Sequence, residues 1–84
     1  MEDLNIFYSD VFRILLLIKE TTQKINDVEF SPISYEDIGK NLNITRQTVS
    51  KHIKLLKDKE YIKVPKRGKI QITEKGKEIL KKLQ

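Results

Sequence analysis

Cysteine is absent from this 84-residue chain, and histidine occurs once, as His52. The missing thiols exclude disulfides, thiolate zinc sites and thiol catalysis, and one histidine cannot form a metal cluster by itself. We therefore expect neither a bound metal nor a cofactor. A chain without disulfides is typical of reducing compartments, so we expect it in the cytoplasm.

Long apolar runs are also missing. The longest, from Ile14 to Ile18, has five residues, whereas a membrane-spanning helix needs about 20. It lacks the flanking basic stretch and cleavage site of a signal peptide. We therefore expect a soluble protein with no membrane partner.

The groups needed for catalysis cannot be assembled from this sequence. It offers no nucleophile with a matching base and no paired carboxylates in an apolar setting. The three glycines, Gly39, Gly68 and Gly76, do not form a phosphate-binding loop. The sequence predicts a protein that is not an enzyme and has no catalytic residues.

The chain is strongly basic only in its second part. Residues 1–37 hold 3 basic and 8 acidic side chains, a net charge of −5, and residues 38–84 hold 14 basic and 4 acidic ones, a net charge of +10. A field of this strength attracts polyanions such as nucleic acid. A lysine-rich solvated surface would give the same count, so charge alone leaves both interpretations open.

The length allows one small domain, residues 1–84, with a single core. A first helix is predicted from Asp10 to Lys24, where the apolar residues follow helical spacing without glycine or proline. More than one face of this helix is apolar, because Phe12, Leu16 and Leu17 lie outside the main stripe of Val11, Ile14, Leu15 and Ile18. The second apolar face is covered either by the C-terminal helix or by another subunit, and we expect residues 1–24 to act as a dimerisation element.

Two short helices follow. The segment from Asn26 to Ile33 is predicted as a loop with at most a short edge strand. Ser34 and Asp37 fit a capping box for a helix from Tyr35 to Leu42. After a three-residue break, Thr45 caps a third helix that runs to Lys57.

The pattern then changes to strands and a last helix. Ile62 to Val64 and Ile70 to Ile72 alternate as half-buried strands, and residues 65–69 connect them as a basic tip. A final helix is predicted from Glu74 to Leu83 behind Thr73. The overall prediction is a mainly α (α+β) fold, in the order α-(β)-α-α-β-β-α.

Residues 48–53, read as Thr-Val-Ser-Lys-His-Ile, precede a basic hairpin that ends in Thr-Glu-Lys-Gly-Lys at 73–77. With the helices before it, this combination resembles the winged helix-turn-helix domain of regulators such as the MarR and ArsR families, over Ser34 to Leu83. Those families usually have alanine at position 39 and glycine at positions 43 and 60. The dimerisation helices of full MarR proteins and the metal-binding clusters of ArsR sensors are missing here.

The resemblance implies double-stranded DNA as partner, with the third helix in the major groove. Arg46 and Gln47 are predicted to contact bases, since arginine pairs with guanine and glutamine with adenine. Phosphate contacts are predicted for Thr45, Thr48, Ser50, Lys51 and Lys54. At the wing, Arg67 is predicted to enter the minor groove, with Lys66 and Lys69 on adjacent phosphates.

Each assignment has a structural alternative. Arg46 could pair with nearby acids, Lys51 and Lys54 could be a solvated helix face, and a charged hairpin tip can simply oppose aggregation. His52 is interpreted as a packed histidine rather than a pH switch. The tyrosines, which are scattered, are interpreted as core or interface anchors: Tyr8, Tyr35 and Tyr61.

The main functional hypothesis is a homodimeric, repressor-like transcription regulator, joined through its first and last helices and reading a palindromic site. Two alternatives remain open from the sequence. One is a plasmid or phage partition or replication protein that coats repeated sites. The other is a winged helix used as a protein-interaction module, since a fold does not fix a function.

Overall fold

The computed structural model describes residues 10–83, apart from the side chain of Leu83. Within this range the chain forms four helices and two β-hairpins. Their bounds, in chain order, are α1 Asp10–Glu20, β1 Gln23–Ile25, β2 Val28–Phe30, α2 Tyr35–Leu42, α3 Arg46–Asp58, β3 Ile62–Lys66, β4 Lys69–Ile72 and α4 Glu74–Leu83. The mixed α+β, winged helix-turn-helix prediction is confirmed.

The first helix is shorter than predicted, and a hairpin replaces the predicted loop. Helix α1 ends at Glu20, where Thr21 Oγ1 and Thr22 Oγ1 donate to the carbonyls of Leu17 and Ile18 at 2.8 and 2.7 Å. Strands β1 and β2 then pair antiparallel across a two-residue turn. Its residues, Asn26 and Asp27, have φ of 51° and 66°, and positive φ at both positions is the geometry that two-residue hairpins favour.

The helix-turn-helix is shaped by caps that the sequence predicted. Ser34 Oγ accepts from the Asp37 amide at 3.0 Å and starts α2. Asn43 ends α2 in the left-handed region at φ 58°. The Ile44 amide donates to the Gly39 carbonyl at 3.0 Å, which closes the turn, and Thr45 caps α3. These local contacts set where α3 begins relative to α2.

The core is built from side chains of all four helices and of the second hairpin. Val49, Ile53 and Leu56 form the buried face of α3, as predicted. In α1 the buried set includes Phe12, while Val11 from the predicted stripe is only half-buried. The buried apolar residues are Phe12, Ile14, Leu15, Ile18, Ile38, Val49, Ile53, Leu56, Ile62, Ile70 and Leu80. The core therefore fixes α3 by one face and leaves its other face outward.

The second hairpin, β3 and β4, is the wing. Its turn has only two residues, Arg67 and Gly68, because Lys66 and Lys69, which were expected in the connection, pair as strand ends. The two hairpins form separate two-stranded sheets, joined by one antiparallel bridge between Ser31 and Ile70. Strand β4 of the wing is thereby bonded to the residue that follows the first hairpin.

Candidate nucleic-acid interface

Helix α3 presents a polar, basic face opposite its buried one. Gln47, Ser50, Lys51 and Lys54 are all exposed. The first turn of α3 carries no acidic residue, so its positive macrodipole end is not neutralised locally. This face has the exposure and charge that groove recognition requires.

Arg46, the first residue of α3, is exposed. Within residues 10–83, no carboxylate lies at ion-pair distance from its guanidinium. Glu36, which lies near the start of α2, pairs instead with Lys40 at 3.4 Å. The alternative in which Arg46 merely pairs with a nearby acid therefore finds no support among the described residues.

A groove joins the start of α3 to the wing tip. It has a volume of about 440 Å³ and is lined by Arg46 from α3, by Arg67 and Gly68 from the wing turn, and by residues at the start of α2. Its apolar walls come from Ile33, Tyr35, Val64 and Ile70. The two predicted arginines, 21 positions apart in the sequence, thus share one surface feature.

The contribution of α2 to this groove was missed by the sequence analysis. Ser34, Tyr35 and Glu36 line it together with Arg46 and Arg67. The available signal was the capping box, which placed a helix start here but gave no distance to the wing. The predicted core role of Tyr35 is confirmed only in part, because it is half-buried against the core and also faces the groove.

The predicted wing contacts divide into two kinds. Arg67 and Lys66 are exposed, and Gly68 adopts φ +81° at the tip with nothing within 4 Å of a β-carbon position. Lys69 is half-buried, and its Nζ lies 4.9 Å from the ring centroid of Phe30. Lys69 is therefore held by an aromatic face, whereas the tip residues extend into solvent.

Thr45 and Thr48 also differ from each other. Thr45 Oγ1 accepts from the Thr48 amide at 3.2 Å and donates to Thr48 Oγ1 at 2.9 Å. The hydroxyl hydrogen of Thr45 is therefore directed at Thr48. The hydroxyl hydrogen of Thr48 can be donated to another group. Of the two, Thr48 has the donor suited to a phosphate oxygen.

The remaining predictions concern core contacts. His52 is half-buried, beside the buried face of α3. Tyr61 packs against the core, and its ring lies 5.1 Å from Lys75 Nζ. Tyr8 lies outside the described residues.

The ion pairs of the described chain lie away from α3 and the wing. They join Asp10 to Arg13, Glu36 to Lys40, and Glu29 and Glu74 to Lys77. Residues 10–83 contain no cluster of metal-ligating side chains, and none of their helices is long and apolar enough to cross a membrane. Among these described residues, the basic side chains of α3 and the wing form no ion pair.

A family model described as Crp-like helix-turn-helix domain matches residues 11–77, which extend from α1 into α4. The chain belongs to this family. This family supports the prediction of a DNA-binding regulator with a helix-turn-helix. The match does not support the predicted resemblance to the MarR and ArsR families specifically, and no curated protein matches the chain significantly.

Two solved structures have the same fold. The reduced (Fe II) CO-sensing protein from R. rubrum aligns with a TM-score of 0.77 at 24% identity, over 99% of this chain and 39% of that chain. Reduced CprK in the absence of any ligand aligns with a TM-score of 0.61 at 25% identity, over 92% of this chain and 38% of that chain. This Crp-like domain thus spans about two fifths of the length of either protein.

Proposed function

We propose that this chain is a transcription regulator that binds double-stranded DNA in a sequence-specific way. In this proposal residues 45–57 enter the major groove, and wing residues 65–69 lie on the minor groove or the backbone. The observation that carries it is the groove shared by Arg46 and Arg67, which joins the two basic elements into one surface whose arginines lack carboxylate partners within residues 10–83.

The dimensions of α3 suit this placement. Its 13 residues give a length of about 20 Å at 1.5 Å per residue. A helix with its side chains is about 10 to 12 Å wide, and the major groove is about 12 Å wide. The bulky core contacts of α3 are all on one side, so the opposite face can approach base edges without disturbing the fold.

The roles follow from position and exposure. Arg46 and Gln47, in the first turn, contact bases, while Ser50, Lys51 and Lys54 along the outer face contact phosphates. Thr48 donates its hydroxyl to a phosphate, and Thr45 contributes mainly by capping α3. At the wing, Arg67 enters the minor groove between phosphate contacts from Lys66 and Lys69.

The active form proposed is a homodimer with residues 1–24 and the last helix at its interface. Val11, Leu16 and Leu17 of α1 remain only half-buried in the single chain, which leaves apolar area for a second copy. Residues 1–9 of this element lie outside the described residues. Sedimentation equilibrium should give twice the chain mass, and a monomer at high concentration would overturn the dimer.

A two-fold dimer predicts a palindromic site with half-sites about one helical turn apart. Selection from random duplexes at low salt should therefore enrich one palindrome. Tandem repeats would favour the partition or replication alternative, and an absence of duplex binding would overturn the proposed function. Lys59→Ala, an exposed change directly after α3 and outside both the proposed DNA contacts and the proposed dimer interface, is the control for loss of charge alone.

Repression is the proposed mode of action, since occupancy of a site is sufficient for it. Transcription in vitro from a promoter overlapping the selected site should fall as the chain is added. A rise in transcript would contradict repression while leaving DNA binding intact.

A further inference from the structure

The wing is a weak hairpin when its two strands are considered alone. Ile62 pairs with Ile72 and Lys63 with Gln71, but the register shifts before Lys66 pairs with Lys69. Two residues of β3, Val64 and Pro65, therefore oppose the single residue Ile70. Proline has no amide hydrogen to donate at this point, and an isolated two-stranded hairpin is at best marginally stable in water.

Additional backbone hydrogen bonds are made at the other edge of β4. Ile70, opposite the bulge, exchanges two backbone hydrogen bonds with Ser31, directly after β2, at 2.7 and 3.0 Å. Ser31 is fully buried, and its Oγ lies 2.6 Å from Thr21 Oγ1 at the end of α1. The wing is thus bonded to a segment that is itself fixed to the first helix.

Side-chain contacts also join the end of the first hairpin to strand β4. Lys69 Nζ lies 4.9 Å from the Phe30 ring centroid, within cation–π range. Gln71 Nε2 donates to the Glu29 carbonyl at 3.3 Å, and the Glu29 carboxylate pairs with Lys77 of α4 at 3.4 Å. Consecutive residues of the first hairpin, Glu29 to Ser31, therefore contact consecutive residues of the wing strand, Lys69 to Gln71.

We propose that residues 29–31 are a positioning element for the wing, and that Phe30 sets the place of the Lys69 ammonium at the DNA backbone. This inference rests on the proposed function. Phe30 touches no DNA in this account. It acts through Lys69, because a side chain held over a ring loses less conformational freedom when it binds a phosphate.

The test is a double-mutant cycle measured by affinity for the selected duplex at about 0.1 M salt. For each subunit, Lys69→Ala should weaken binding about fivefold to tenfold and lower the salt slope by about one, because it removes one phosphate contact and the counterion release that goes with it. Phe30→Leu, which keeps an apolar side chain but removes the aromatic face, should weaken binding several-fold. In the Phe30→Leu background, the further effect of Lys69→Ala should shrink to less than about twofold.

Two variants separate positioning from general stability. Phe30→Tyr keeps an aromatic face and should restore wild-type affinity and salt slope. Val28→Ala alters an exposed side chain of the same strand and should change neither. Urea unfolding of each variant shows whether an affinity change arises from loss of the fold.

Failure of this inference and failure of the proposed function give different results. If the wild-type chain binds no duplex, the proposed function is overturned. If it binds and Lys69→Ala costs the same affinity with Phe30 or Leu at position 30, residues 29–31 do not position the wing. Loss of affinity in Val28→Ala to the same extent as in Phe30→Leu would overturn the inference in the same way.

Discussion

Arg46, at the start of α3, and Arg67, at the tip of the wing, line the same groove. Each belongs to an element that could be predicted from local sequence, but their proximity depends on how the core packs both elements. The groove places both arginines on one surface, and the proposed function assigns contacts with bases and with the DNA backbone to that surface. The following predictions test that surface and the local structure that holds it.

Arg46→Ala should relax base preference at one position of each half-site. A bidentate arginine–guanine contact contributes about 1 to 3 kcal/mol of discrimination. Affinities for the selected duplex and for single-base variants measure this directly, with Lys59→Ala as the charge-matched control. An equal loss of affinity for every sequence would instead assign Arg46 to the phosphate backbone.

Lys51→Ala should lower the salt dependence of binding. The outer face of α3 holds Lys51 exposed, and each phosphate contact contributes about −0.9 to the slope of log affinity against log salt. Fluorescence anisotropy titrations at several salt concentrations give that slope. Lys59→Ala, directly after α3, removes the same charge from an exposed position and should leave the slope unchanged. If both variants behave alike, Lys51 is part of a solvated face.

Thr45→Ala should destabilise the fold through loss of the α3 cap. Its hydroxyl accepts the Thr48 amide at 3.2 Å, and removing a threonine cap costs about 0.5 to 2 kcal/mol. Urea denaturation should show a lower midpoint with an unchanged slope. Thr45→Ser should recover most of the loss. Full stability of Thr45→Ala would show that the capping bond contributes nothing measurable.

Gly76→Ala should be destabilising even though alanine favours helices by up to about 1 kcal/mol over glycine. A β-carbon here would overlap the Tyr61 carbonyl oxygen and lie 2.8 Å from Ile72 Cγ2. Overpacking of this kind typically costs about 1 to 3 kcal/mol, and the rigid backbone partner places this case toward the upper end. Glu78→Ala, exposed on the same helix, should change the unfolding free energy by less than about 0.5 kcal/mol. A stabilised Gly76→Ala would contradict the close approach.

Local signals predicted most of the helix-turn-helix. Ser34 and Thr45 cap the helices, and Asn43, where the resembling families have glycine, adopts a left-handed backbone that asparagine tolerates. Glu60 also has positive φ, 62°, at a position where the resembling families have glycine. These features depend on a few neighbouring residues, which a sequence displays directly.

The first hairpin was missed because its signals are weak and its support is distant. The Asn26-Asp27 turn lacks the glycine that usually marks such hairpins, and its strands have only three residues each. The strands are stabilised by contacts with β4, such as the Ser31–Ile70 bridge. Partners 39 positions away cannot be identified from periodicity.

The exposed site residues were predicted from their residue type and helical position. The differences between their surroundings could not be predicted in this way. The sequence placed Lys66 and Lys69 symmetrically on a basic tip, whereas only Lys69 meets an aromatic ring. Similarly, Thr45 and Thr48 were both assigned to phosphates, although they bond to each other. Such distinctions arise from tertiary and side-chain geometry.

The central claim is that α3 and the wing tip form the DNA-binding surface. It is tested most directly by titrating the nitrogen-15-labelled chain with the selected duplex and following each backbone amide by NMR. The account predicts the largest shifts within residues 45–54 and 66–69, with small shifts in the β1–β2 turn at Asn26 and Asp27. Shifts concentrated in that turn or along α4, with α3 unaffected, would contradict it.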